Sequence, residues 1–186
     1  MSETKPITKQ NTKSNTTVML VMCAVLAALT AVCSQIQIPL PMIPINLALL
    51  AVHLSGALLG PKYGTASMLI YVLLGLFGLP VFVGFAGGVG ILFGKTGGYI
   101  IGYILDALVV GFILSKWGYK YWKICLAMVM GLAVCYIFGT AWFMALTGLP
   151  LWTSLVYCVF PFLMGDAVKI ALAAYLVKPL RKVLTK

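Results

Sequence analysis

GFAGGVGILFGKTGGY, residues 84–99, places seven glycines in sixteen positions and runs through Gly-Lys-Thr, which raises the question of a phosphate cradle. A phosphate-binding loop needs a glycine five positions before the one that precedes the lysine, so that the chain can turn and aim successive backbone N–H groups at the anion. Here that position is Val89. The dinucleotide fingerprint fails as well, because Gly88, Val89 and Gly90 are followed by Ile91, Leu92 and Phe93 where a third glycine is required. The stretch is not a nucleotide site, and its role has to come from its surroundings.

Those surroundings are apolar. Of 186 residues 62% are hydrophobic and only 9% charged, with a mean hydropathy of +1.09, whereas soluble domains carry about 25% charged residues. The chain reads as an all-α integral membrane protein. Six apolar runs read as spans of a hydrocarbon core of about 30 Å, the first three relatively short: Thr17 to Gln35, Ile45 to Leu59, Tyr63 to Leu79, Gly97 to Ser115, Ile124 to Leu146 and Trp152 to Val177. The second and third are joined only by Gly-Pro-Lys-Tyr, a tight turn.

A net charge of +10 would also suit a nucleic-acid binder, and the placement of the cations decides against it. Eleven of the thirteen Lys and Arg fall on one side of the six-span pattern: Lys5, Lys9 and Lys13, then Lys62, then Lys116, Lys120 and Lys123, then Lys178, Arg181, Lys182 and Lys186. The other side receives only Lys95, and Lys169 lies inside the sixth span. The bias of basic residues toward the cytoplasm puts both termini there and points to anionic lipid as the partner of the excess charge. Residues 1–16 have the composition of a disordered cytoplasmic tail, residues 17–178 form the transmembrane domain, and 179–186 form a basic cytoplasmic end. Five scattered cysteines without a C-x-x-C or histidine partner read as packing residues, and no metal site is expected.

An ionisable side chain at bilayer depth costs about 2.5 kcal/mol or more, so each needs a partner or a function. There are four: His53, Asp106, Asp166 and Lys169. Asp166 and Lys169 are three residues apart and share one helix face. They form either a structural ion pair or a polar patch that meets a small molecule with N–H groups and a carbonyl or anionic end. His53 reads as a residue that hydrogen-bonds between helices. Asp106 is compatible with pairing to His53, pairing to Lys169 or lining a polar path. No nucleophile constellation accompanies them, which argues against an enzyme.

On this topology the glycine-rich stretch lies on the outer face between the third and fourth spans. Phe82, Phe85, Ile91, Leu92 and Phe93 make it too apolar for a free loop, so it should pack into protein or the bilayer edge. Non-helical backbone at that depth is tolerated where it is buried or lines a cavity, and a lid or wall of a binding site fits. In the first span, Ala24 with Ala28 and Ala27 with Ala31 make two overlapping small-x-x-x-small pairs, suited to internal packing or to a partner helix.

LLGPKYGT (58–65) with YVLLGLFGLPVF (71–82), GGVGILFGKTGGYIIGY (87–103) and FLMGDAVKIALAAYL (162–176) together resemble the BioY family, the biotin-specific substrate-binding (S) components of energy-coupling-factor (ECF) transporters. The resemblance covers roughly residues 39–104 and 160–177. It implies a compact bundle of six transmembrane helices in a prokaryotic plasma membrane with an outward ligand cavity closed by loops. No cofactor would be held by this chain, ATP being used by partners: a transmembrane coupling subunit and two ATPase subunits. The family's biotin-recognising Asp and Lys map onto Asp166 and Lys169, with Lys95, Tyr99, Gly87, Gly88 and Asn46 as further substrate-site residues. Its helix-one docking motif maps onto Ala24 and Ala28 or Ala27 and Ala31. The chain departs from the family pattern at Asn46 (often Thr), Ala48 (often Gln), Ala86 (often Arg) and Lys95 (often Pro). An S component for thiamin or riboflavin is the nearest alternative, ahead of a small channel or intramembrane enzyme.

Overall fold

The chain is described from a computed structural model covering residues 8–39 and 43–184, with backbone alone for 8–15. Its elements in order are α1 (Thr8–Gln35), β1 (Gln37–Ile38), β2 (Ile45–Asn46), α2 (Ala48–Leu76), α3 (Val89–Leu92), α4 (Gly97–Trp117), α5 (Tyr121–Thr147), α6 (Leu151–Cys158) and α7 (Phe160–Leu184). Five of them, α1, α2, α4, α5 and α7, are long and apolar enough to cross a membrane. α1 is already helical at Thr8, ahead of the apolar run; residues 1–7 of the expected disordered tail lie outside the described residues, as do 185 and 186.

The six expected spans thus correspond to five long helices, and the difference has a local cause. The second and third spans run together as α2, interrupted at Gly60, whose backbone (φ 75°, ψ −174°) is closed to ordinary L-residues. Pro61 follows in the first turn of the second half, where its missing N–H costs no hydrogen bond. Gly64 then packs on the first half: a Cβ added there would lie 2.8 Å from the Ser55 carbonyl oxygen and 2.9 Å from the Gly56 Cα. Eight residues of straight helix would separate Gly56 and Gly64 by about 12 Å, so the chain doubles back at Gly60.

The expected sixth span, 152–177, is divided at Val159 (φ −123°, ψ −57°) into α6 and α7. Pro161 again sits in the first turn of the helix that follows. The expected start of the second span at Ile45 moves to Ala48, because Ile45 and Asn46 pair antiparallel with Ile38 and Gln37.

Glycine governs how closely the long helices pack. Gly98 lies under the Trp142 side chain and Gly102 against Cys135, while Gly139 on α5 receives the Tyr99 ring. These contacts knit α4 to α5, and Gly56 does the same for α2 and α4: a Cβ there would come within 2.6 Å of the Ala107 carbonyl. Large apolar side chains point outward instead, including Val21, Val25 and Val32 on α1 and Met164, Val168 and Leu172 on α7, as hydrocarbon surroundings allow. Several of the described cations gather at one end, away from Lys95. There Arg181 stands over the Tyr119 ring, Lys178 over Tyr121, and Lys123 donates to the Trp117 carbonyl at the close of α4. The glycine-rich stretch lies at the other end, where α4 begins.

Gly64→Val tests the doubled-back α2, since the added branches meet backbone that cannot yield. The variant is expected to lose about 1–3 kcal/mol of stability, read as a lowered melting temperature of the detergent-purified protein.

Candidate functional site

The segment between α2 and α4 folds over the start of the bundle. Phe82 donates its N–H to the Ala86 carbonyl at 2.9 Å, closing a tight turn through Gly84 (φ 71°) and Phe85 (φ 55°). The Gly88 N–H reaches back to the Gly75 carbonyl at 2.6 Å. The Phe82 ring lies over Gly75, where no side chain would fit, and meets Tyr71 edge-on at 5.6 Å. From the end of α1, Gln35 fastens the turn on both sides: its Nε2 donates to the Phe82 carbonyl at 3.0 Å and its Oε1 accepts from the Phe85 N–H at 2.8 Å. Trp142 Nε1 holds the Gly94 carbonyl at 3.1 Å. Of the residues expected to pack into protein or the bilayer edge here, Phe82 and Leu92 point inward, Ile91 is half-buried, and Phe85 and Phe93 are exposed.

Beneath this cover is a cavity of about 160 Å³. The cover contributes Val83, Ala86, Ile91 and Thr96, α4 contributes Tyr99, Ile100 and Tyr103, and α7 contributes Phe162, Asp166 and Lys169. Asn46 at the end of β2 and Leu49 on α2 line it too, and the Asn46 side chain accepts the Ala48 N–H at 3.0 Å where α2 begins.

The polar centre of the cavity is on α7. Lys169 Nζ lies 2.7 Å from Asp166 Oδ1, both residues being buried. Tyr136 on α5 donates its hydroxyl to the other carboxylate oxygen. Asp166 therefore has a partner on each oxygen, while a lysine ammonium retains two further donors. Tyr99 is oriented by a 2.9 Å bond between its hydroxyl and Thr140. The result is one cation and one anion in a wall otherwise dominated by tyrosine, phenylalanine and aliphatic carbon, an arrangement that can grip a polar head while enclosing an apolar body.

Of the residues singled out from sequence, Asp166, Lys169, Tyr99 and Asn46 line the cavity together. Gly87 and Gly88 shape the cover without lining it, and Lys95 is exposed next to the lining residue Thr96. The two alanine pairs on α1 face different ways: Ala27 is buried and Ala31 packs on the core, whereas Ala24 and Ala28 are exposed. Asp106 pairs with His53, Nε2 to Oδ2 3.1 Å, and not with Lys169. Sequence reasoning missed Tyr136, Tyr103, Tyr71 and Gln35. Tyr99 and Tyr103 are spaced four apart and share a helix face, a signal that was available; nothing local marks Tyr136 as the partner of an aspartate thirty residues later.

Residues 6–186 match the BioY family. The "Probable biotin transporter BioY" of Pyrococcus horikoshii is 37% identical over 160 residues, covering 86% of this chain and 94% of that protein. The "Biotin transporter BioY" of Thermotoga maritima is 42% identical over 120 residues, 64% of this chain and 70% of its own. Among solved structures, the S-component for biotin from an ECF-type ABC transporter superposes with a TM-score of 0.85 at 30% identity, covering 94% of each chain. With this match across nearly its whole length, and with five helices able to span a bilayer, the chain belongs to the BioY family and is a multi-pass membrane protein.

Proposed function

We propose that this chain is the substrate-binding subunit of a biotin uptake transporter in a prokaryotic plasma membrane. It captures biotin from outside and passes it inward when docked on an ATP-driven ECF module, a transmembrane coupling subunit with two ATPases. In this reading the two halves of α2 count as separate spans, giving six, with both termini and the basic end cytoplasmic. The glycine-rich cover and the cavity then face outward. The observation that carries the reading is the buried Asp166–Lys169 pair opening on an aromatic cavity.

Biotin suits that cavity chemically. Its ureido ring offers two N–H donors and a carbonyl, its thiophane ring and valeryl chain are apolar, and its carboxylate calls for a cation. Asp166, already oriented by Tyr136 and Lys169, accepts from ureido N–H, and the remaining Lys169 protons meet the carbonyl or carboxylate. Tyr99 and Asn46 flank the ligand. Lys95, beside Thr96 at the mouth, supplies a cation within the cover, and Gly87 and Gly88 let the backbone close over it. A cationic vitamin such as thiamin has no matching group here, because the one carboxylate lining the cavity is already paired with Lys169. The exposed Ala24–Ala28 face of α1 is where the coupling subunit packs, since small side chains let a second helix approach.

Titrating the detergent-purified protein with biotin, thiamin and riboflavin in parallel, by calorimetry or tryptophan fluorescence, tests the ligand. Saturable binding of biotin alone is expected; a response to another vitamin in its place would overturn the assignment. Asp166→Asn should weaken biotin binding by about 1–3 kcal/mol, the cost of an unmade buried hydrogen bond. For docking, Ala24→Leu with Ala28→Leu should leave biotin binding unchanged and abolish co-purification with the coupling subunit; normal assembly of that variant would remove α1 from the interface.

A further inference from the structure

The His53–Asp106 pair is a second buried polar centre, separate from the polar group in the cavity. Both residues are fully buried, with Nε2 and Oδ2 3.1 Å apart. Neither His53 Nδ1 nor Asp106 Oδ1 has another partner among the described residues. Two close backbone approaches enclose the pair. Gly56, one turn after His53, sits against Ala107, and Gly131 on α5 leaves the space that Asp106 Oδ1 occupies.

Its position relative to the cavity is regular on all three helices. His53 follows the cavity residue Leu49 by four positions on α2, Asp106 follows Tyr103 by three on α4, and Gly131 precedes Cys135 by four on the antiparallel α5. Each step is one helical turn, about 5 Å, directed away from the glycine-rich cover. The pair therefore lies in the layer directly beneath the cavity floor, at the junction of the helices that carry Leu49 on one side and Tyr99 and Tyr103 on the other.

We propose that His53 and Asp106 are positioning residues for the ligand cavity, locking α2 to α4 one turn below its floor so that the two walls keep their spacing and register. A buried imidazole and a buried carboxyl group with no other partner are held to each other, which favours one offset of the two helices. The pair adds this polar constraint to the glycine contacts at Gly56 and Gly111. This inference rests on the reading of the cavity as the biotin site, and its test separates the two.

Wild type, His53→Leu, Asp106→Leu and the double variant are purified as full chains. Melting temperature without ligand, biotin affinity, and amide hydrogen exchange without ligand over residues 45–50 and 99–103 are measured for each. Removing one partner strands the other, so each single variant melts lower; the double variant, with no unpaired polar group left to bury, recovers most of that loss. At that recovered stability it should bind biotin about 3- to 30-fold more weakly and exchange faster at both segments. A double variant that matches wild type in affinity and in exchange overturns the proposal and leaves the pair a structural contact only. If wild type itself fails to bind biotin, the ligand assignment falls, and the exchange comparison still decides the positioning role: unchanged exchange in the stable double variant refutes it.

Discussion

The close approach of α2 and α4 is the contact on which the other features depend. Where Gly56 meets Ala107, no side chain separates the two helices, and further along, Gly111 leaves room for the Gly60–Pro61 turn itself. With the turn seated on α4, the first half of α2 is held along its length and delivers Leu49 to the cavity, with Asn46 just ahead of it, while the second half returns to start the cover. A hydrocarbon solvent offers no hydrophobic reward for bringing helices together, so contacts of this kind have to come from shape and van der Waals packing. Glycines at 56, 98, 102, 111, 131 and 139 supply that shape.

Inside this frame, polar groups are placed economically. Two carboxylates and their cationic or imidazole partners lie in successive layers, one lining the cavity and one beneath it. The upper carboxylate is also met by Tyr136 from a second helix, so its orientation is fixed from two sides. Preorganisation of this sort reduces what binding must spend on ordering side chains. The surrounding tyrosines serve both purposes, giving apolar faces to the cavity and hydroxyls to neighbours such as Thr140.

Much of this was legible in the sequence, and the rest was hidden for identifiable reasons. Apolar runs and the Gly60–Pro61 turn marked the helices, because length in hydrocarbon and proline geometry are local properties. The Asp166–Lys169 pair was legible for the same reason, three residues apart on one helix. The break at Val159 passed unnoticed because the stretch is uniformly apolar and only Pro161 marks a new start. The choice between His53 and Lys169 as the partner of Asp106 depended on which helices become neighbours, which no spacing along the chain encodes. The same is true of Tyr136, and of Gln35 reaching across nearly fifty residues to the cover. The alanine pairs showed the small residues on α1, and only the packed structure separated the outward face of Ala24 and Ala28 from the inward face of Ala27.

The grip of Gln35 on the turn through Phe85 has a mechanical meaning. Both of its side-chain atoms are committed to backbone of the cover, and Ser34 Oγ adds a contact of 2.7 Å to the Val81 carbonyl. Because these residues close α1, the helix and the roof of the cavity move as linked parts. A displacement of the end of α1 has either to break these bonds or to carry the turn above the cavity with it.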